Sequence, residues 1–192
     1  MIAFARIGNE RPSAFIVEAS WPGVSTGAEE RKMGIKGSST RQVYFENAKV
    51  PAENLLGEIH KGYKIAFNIL NIGRLKLGAG AVGGARSSLG LAAAYTTERK
   101  AFGKFINEFG MIREKLARIA AYTYAAESEV FRTAANIENA RRSAGDNTEA
   151  AFKAIEEYAV EASIAKVHGS EVLAFAVDEG VQIFGGYGFM QE

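Results

Sequence analysis

All three prolines of the chain, Pro12, Pro22 and Pro51, fall within its first 51 residues, and residues 52–192 contain none. Proline lacks a backbone donor and clashes with the preceding helical turn, so only the second stretch is free to form long unbroken helices. The side-chain pattern divides at the same place. Residues 2–7, 14–18 and 42–45 are short, β-branched or aromatic runs, separated by turn-prone stretches such as Trp21-Pro22-Gly23 and Gly37-Ser38-Ser39. They are expected to be strands joined by turns. Within 41–49, Val43 and Phe45 alternate with Gln42, Tyr44 and Glu46, which predicts a strand with one buried face.

Beyond Gly62 the period lengthens. Ile112, Leu116, Ile119, Thr123, Ala126, Val130, Ala134 and Ile137 are spaced mostly by threes and fours, one face of an amphipathic helix. Ala151, Ile155, Tyr158, Ala162, Ala165, Val172 and Ala176 form a second such stripe, preceded by Gly145-Asp146-Asn147-Thr148 as turn and N-cap. A further helix is expected over about 63–99, closed off by Phe102-Gly103 and Phe109-Gly110. Three helices of this kind, each roughly 45 to 50 Å long at ~1.5 Å per residue, suit an antiparallel bundle. One apolar face then lacks a cover, so a fourth helix outside the chain is expected. The fold class predicted is α+β, a small β region followed by helices.

Composition narrows the chemistry. The chain is 47% hydrophobic and 23% charged, with 23 basic against 22 acidic residues and a net charge of +1. That balance provides no positive field for nucleic acid. Cysteine is absent and His60 and His168 are the only imidazoles, so thiolate sites are excluded and metal or Ser-His-Asp chemistry has almost no ligands to use. No apolar run is long enough to span a bilayer, residues 1–10 carry no signal-peptide pattern, and a soluble intracellular protein is expected.

Four segments carry possible chemistry, each beside a plainer role. Gly78-Ala79-Gly80-Ala81-Val82-Gly83 matches GxGxxG, but Phe67, Leu70 and Arg74 place it inside a helix, where such glycines permit close packing instead of dinucleotide binding. Arg74, with Asn71 one turn earlier, interrupts an apolar surface; it is either a solvated edge residue or an interior charge that needs a partner. In Glu98-Arg99-Lys100-Ala101-Phe102-Gly103 a guanidinium and a ring can clamp a phosphate and flank a base, or the cation simply favours a helix C-terminus. Gln182-Ile183-Phe184-Gly185-Gly186-Tyr187-Gly188 offers bare amides to a ligand phosphate, and its first glycine also suits a helix C-cap.

With Ala14-Phe15-Ile16-Val17-Glu18, Lys32-Met33-Gly34-Ile35-Lys36, Val50-Pro51-Ala52-Glu53-Asn54 and Gly73-Arg74 in the same order, these segments resemble the acyl-CoA dehydrogenase family along essentially the whole chain. Phe109 through Ala117 and Gly169-Ser170-Glu171 look most like its very-long-chain branch. The resemblance implies that 1–58 is the later part of a middle β-domain, of β-barrel or sandwich type, and that 61–192 is three helices of a C-terminal four-helix bundle. It implies FAD as cofactor and α,β-dehydrogenation of a fatty acyl-CoA thioester, in which a glutamate takes the α-proton and flavin takes a hydride. Electron-transfer flavoprotein would be the acceptor. By the same likeness Arg99 and Phe102 meet the diphosphate and adenosine end of FAD. Gln182, Ile183, Phe184, Gly185 and Gly186 touch the FAD of a neighbouring subunit, and Asn71 and Arg74 line the acyl-CoA site. A homodimer or homotetramer follows, in the cytoplasm of a bacterium or the mitochondrion of a eukaryote.

The chain also departs from that pattern. In most members the glutamate base lies beyond the position of Glu192, and where some branches place it, before the arginine of the first bundle helix, Gly73 stands here. Glu192 is too close to the glycine pair to match, so no residue is assigned as the base and the chain alone is expected to be inactive. Gly110 replaces a frequent glutamine. A non-catalytic relative used as a scaffold or binding protein is the alternative.

Overall fold

The short runs before Pro51 pair as antiparallel strands. β1 (Ile2–Ala5), β2 (Ser13–Ile16) and β5 (Leu55–Leu56) form one sheet in the order β1-β2-β5, with Ile2 opposite Ile16 and Phe4 opposite Ala14. β3 (Val24–Glu29) and β4 (Arg41–Phe45) form a second, two-stranded sheet, with Val24 opposite Phe45 and an irregularity before Glu29. The computed structural model describes residues 1–190, and these sheets belong to the first of its two units, Met1–Phe67. Its buried residues are few: Ser13, Ala14 and Val17 are at most 1% exposed. The Ser13 hydroxyl oxygen is occupied, accepting the His60 backbone N–H at 2.7 Å.

The expectation that β4 buries one face is corrected. Every residue of β4 is exposed. Val43 and Phe45 do share a side, but there they border an open apolar hollow of about 400 Å³ together with Ile2, Phe4 and Phe15. β3 was not anticipated, because Val24-Ser25-Thr26-Gly27-Ala28-Glu29 has little alternation; its hydrogen bonds to β4, a non-local term, make it a strand.

The second unit, Asn68–Glu192, holds most of α1 (Gly62–Glu98) and all of α2 (Gly110–Ala144), α3 (Thr148–Glu157) and α4 (Ala159–Phe184). α1 occupies almost the predicted span. On α2 the stripe residues Ile119, Thr123, Ala126, Val130 and Ile137 are buried. Ile119, Ala126 and Val130 meet Val82, Ala85 and Ala92 of α1 and Ala165, Val172, Ala176 and Ile183 of α4 in one core. Ser88 donates to the Ala176 carbonyl at 3.0 Å and Tyr95 reaches Phe184, so residue numbers climb together and α1 and α4 run parallel. α2 runs antiparallel to α4, since Lys115 pairs with Glu179 and Glu129 with His168.

The second stripe is not one helix. It breaks at Tyr158 (φ −99°, ψ 25°). Two local terms favour the break: a continuous helix would stack Glu157 over Glu161 at i,i+4, whereas the break places Glu161 in the first turn of α4, where the helix dipole favours an acid. Asn147 is the N-cap of α3, its side-chain oxygen accepting from the Ala150 N–H at 3.0 Å. Gly78 lies in the interior of α1, and a Cβ there would come within 2.7 Å of the Ala165 carbonyl oxygen of α4. The helices touch backbone to backbone, which only glycine allows. Gly80 and Gly83 face open space and have no such role. Among the described residues no helix is long and apolar enough to cross a membrane.

Candidate cofactor pocket

α1 ends because the chain folds back at once. The Arg99 N–H still donates to the Tyr95 carbonyl at 3.0 Å, after which β6 (Lys100–Ala101) and β7 (Lys104–Phe105) form a two-residue hairpin. Its turn residues, Phe102 (φ 52°) and Gly103 (φ 85°), both lie in the left-handed region, as a type I′ turn requires. That conformation is costly for an aromatic residue. Phe102 projects from the tip, 96% exposed, in a T-shaped arrangement with Phe109 whose ring centroids are 6.3 Å apart.

α4 ends at Gly185 (φ 60°), whose N–H returns to the Gln182 and Val181 carbonyls. A 3-10 turn, Gly185–Phe189, follows. The three glycines here have different grounds. Gly185 needs its positive φ, and Gly188 is required because a Cβ would lie 2.6 Å from the Val181 carbonyl oxygen. A Cβ on Gly186 would meet nothing within 4 Å. Nothing among the described residues calls for a bare backbone at that position.

The two helix ends meet around an open pocket of about 540 Å³. It gathers Arg99, Ile183, Phe184, Gly185 and Gly186 of the predicted site residues, and adds Tyr95, Ala101, Ile106, Tyr187 and Met190. Phe102 and Gln182 are not in its wall. Arg99 is exposed, has no carboxylate partner among the described residues, and lies with its guanidinium carbon 5.4 Å from the centroid of the Tyr187 ring. A forked cation, bare amides and flat aromatic walls together form a donor set suited to a pyrophosphate attached to a planar ring system.

Tyr95 and Tyr187 escaped sequence reasoning. Tyr95 stands one helical turn before Arg99, and that i,i+4 spacing is the signal in the sequence; Tyr187 lies inside the glycine segment itself.

Asn71 and Arg74 form a separate pair. The Arg74 Nη1 donates to the Asn71 Oδ1 at 2.9 Å, and Asn71 is 4% exposed, so Arg74 has a neutral partner instead of a counter-ion. They lie some 25 residues before Arg99 on α1, about 37 Å at ~1.5 Å per residue. Gly73 between them carries no acid, and Glu192, set aside as a base, lies outside the described residues.

A model of the acyl-CoA dehydrogenase C-terminal domain matches residues 60–192. A probable acyl-CoA dehydrogenase of Bacillus subtilis is 51% identical over 196 residues, covering 100% of this chain and 33% of that protein. The mitochondrial very long-chain specific acyl-CoA dehydrogenase of Rattus norvegicus is 43% identical over 183 residues, covering 95% of this chain and 26% of its own length. Among solved structures, an acyl-CoA dehydrogenase complexed with FAD from Bacillus anthracis shares the fold at a TM-score of 0.89 and 55% identity, with 99% of this chain and 33% of that one covered. The chain spans about a third or less of the length of these relatives.

Proposed function

From the premise that the chain belongs to the acyl-CoA dehydrogenase family, we propose that the pocket at the ends of α1 and α4 takes the pyrophosphate and adenosine end of FAD. The protein it serves desaturates fatty acyl-CoA thioesters between the α and β carbons. The observation that carries this reading is the conjunction of an unpaired Arg99 with Gly186, a glycine that packing does not require, in one wall. Bound FAD supplies the hydride acceptor. Arg99 neutralises and orients the diphosphate through its fork, while the Gly186 amide approaches it with no side chain between, the Gly185 N–H being taken by the Gln182 and Val181 carbonyls. Phe102 and Gln182 lie outside the pocket wall, and their proposed part is to contact, through a ring and an amide, portions of FAD that extend beyond it. Asn71 and Arg74 hold the polar portion of the acyl-CoA.

No described residue has the position of the family's glutamate base, so residues 1–192 by themselves are proposed to turn nothing over. Family membership supports the remaining assignments: a second subunit completing the FAD site in a homodimer or homotetramer, and electron-transfer flavoprotein as electron acceptor. The location is cytoplasmic in a bacterium or mitochondrial in a eukaryote.

The test is a chimera in which residues 1–192 replace the matched segment of the Bacillus subtilis relative. It is expected to purify with FAD whose absorbance bleaches on adding a long-chain acyl-CoA. Arg99→Lys in that chimera keeps the charge but loses the fork, and is expected to weaken FAD binding about tenfold, in line with charge-assisted hydrogen bonds worth roughly 1.5–3 kcal/mol. A colourless chimera, or Arg99→Lys with unaltered FAD affinity, would contradict the assignment.

A further inference from the structure

Gly185 and Gly186 are bracketed by two contacts that tie the end of α4 to the end of α1. On one side the Tyr95 ring stacks on Phe184, with centroids 4.2 Å apart and planes 12° from parallel, and the Tyr95 hydroxyl donates to the Phe184 carbonyl at 3.4 Å. On the other, Arg99 lies over Tyr187 at 5.4 Å. Tyr95 and Arg99 are one turn apart on the same helix face, and Phe184 and Tyr187 immediately flank the glycine pair. Both rungs border the pocket.

The chemistry of each rung is directional. A guanidinium held over a ring uses the ring's face and leaves its own N–H edge free for an anion. An exposed arginine without such a support gives up its rotamer freedom each time it binds. The stack and hydroxyl contact at Tyr95 act on Phe184, the residue that immediately precedes the glycine pair.

We propose that Tyr95 and Tyr187 are positioning residues: Tyr95 sets the Gly185–Gly186 turn, and Tyr187 pre-aims the Arg99 fork, so that both address one pyrophosphate. This rests on the pocket being the FAD site. A purely structural role would tie the helix ends together without coupling to the ligand.

FAD titration of the chimera separates the two. Tyr187→Leu is expected to weaken FAD about two- to fivefold, the range of an exposed cation–π contact, with the thermal midpoint of the apoprotein unchanged. Tyr187→Phe keeps the ring face and restores affinity. In an Arg99→Lys background Tyr187→Leu costs nothing further, because it acts through the guanidinium. Likewise Tyr95→Leu weakens FAD in the parent but not in a Gly186→Ala background, and Tyr95→Phe retains most of the affinity. Equal losses in the parent and the second background, or FAD affinity untouched by Tyr187→Leu, overturn the proposal while leaving the FAD site standing. A parent chimera that takes up no FAD overturns both. The Tyr187 arm concerns a half-exposed side chain and remains decisive if Tyr95→Leu fails to fold.

Discussion

Val43 on β4 and Ile119 on α2 are both aliphatic residues picked out by periodicity, yet Ile119 is 0% exposed and Val43 is 41% exposed. The difference extends to the units around them. The helical unit brings stripes from α1, α2 and α4 into one core, while the β unit leaves Ile2, Phe4, Ile16 and Phe45 between 44% and 48% exposed. A repeat in sequence says which side chains share a face. Whether another surface covers that face is a property of what packs against it, and two strand pairs of four to six residues have little to offer.

Matched truncations test that contrast most severely. Ile119→Ala is expected to cost about 2–5 kcal/mol of unfolding free energy, the range for a fully buried aliphatic that leaves a cavity, and Val43→Ala less than about 0.5 kcal/mol. Equal losses in denaturant titrations would erase the distinction. Within the helical unit, Gly78→Ala drives a methyl against the Ala165 carbonyl and is expected to cost about 1–3 kcal/mol. Gly80→Ala, facing open space on the same helix, should instead stabilise by about 0.5–1 kcal/mol. Opposite signs in thermal unfolding sharpen the claim that this packing is local to Gly78. Asn147→Ala removes the α3 cap at about 1 kcal/mol, read from calorimetric midpoints.

The smallest effect belongs to the β unit. The Glu29 carboxylate accepts from the Thr40 N–H at 2.6 Å, the Ser39 hydroxyl at 2.7 Å and the Arg41 Nε at 2.9 Å. Of these the Thr40 amide does most to hold its pKa below the usual glutamate value. A lowered folded-state pKa means the contribution is present above the ordinary carboxylate value and disappears as pH falls through the depressed one. Acid titration followed at the Thr40 amide by NMR is therefore expected to show the loop between β3 and β4 loosening in that window. An amide shift independent of pH would remove this anchor.

The helical half was the more legible. The predicted end of α1 near residue 99 and the N-cap before residue 148 follow from features that act within a turn or two: glycine, an Asx side chain, apolar spacing. Strand β3 is not legible because cross-strand hydrogen bonds become visible only when the neighbours are known; the break at Tyr158 has a local signal, Glu157 and Glu161 four positions apart, which the continuing apolar stripe masks. At the pocket, Arg99 and the glycine segment were readable as chemistry. Their convergence was not, since 86 residues separate Arg99 from Gly185 and only the packing of α1 on α4 brings them into one wall. Phe102 and Gln182 stood in the same motifs, yet local backbone geometry turned them away from that wall.

Because α1 and α4 point the same way, their final carbonyls crowd the same end of the bundle, each helix contributing roughly half a negative charge there. Those carbonyls oppose an anion in the cup between them, against the amide of Gly186 that faces it. Arg99 is the only charged side chain in its wall among the described residues, so that one guanidinium decides the polarity of the place. A neutral residue at 99 would leave the two helix ends uncompensated and the cup net negative.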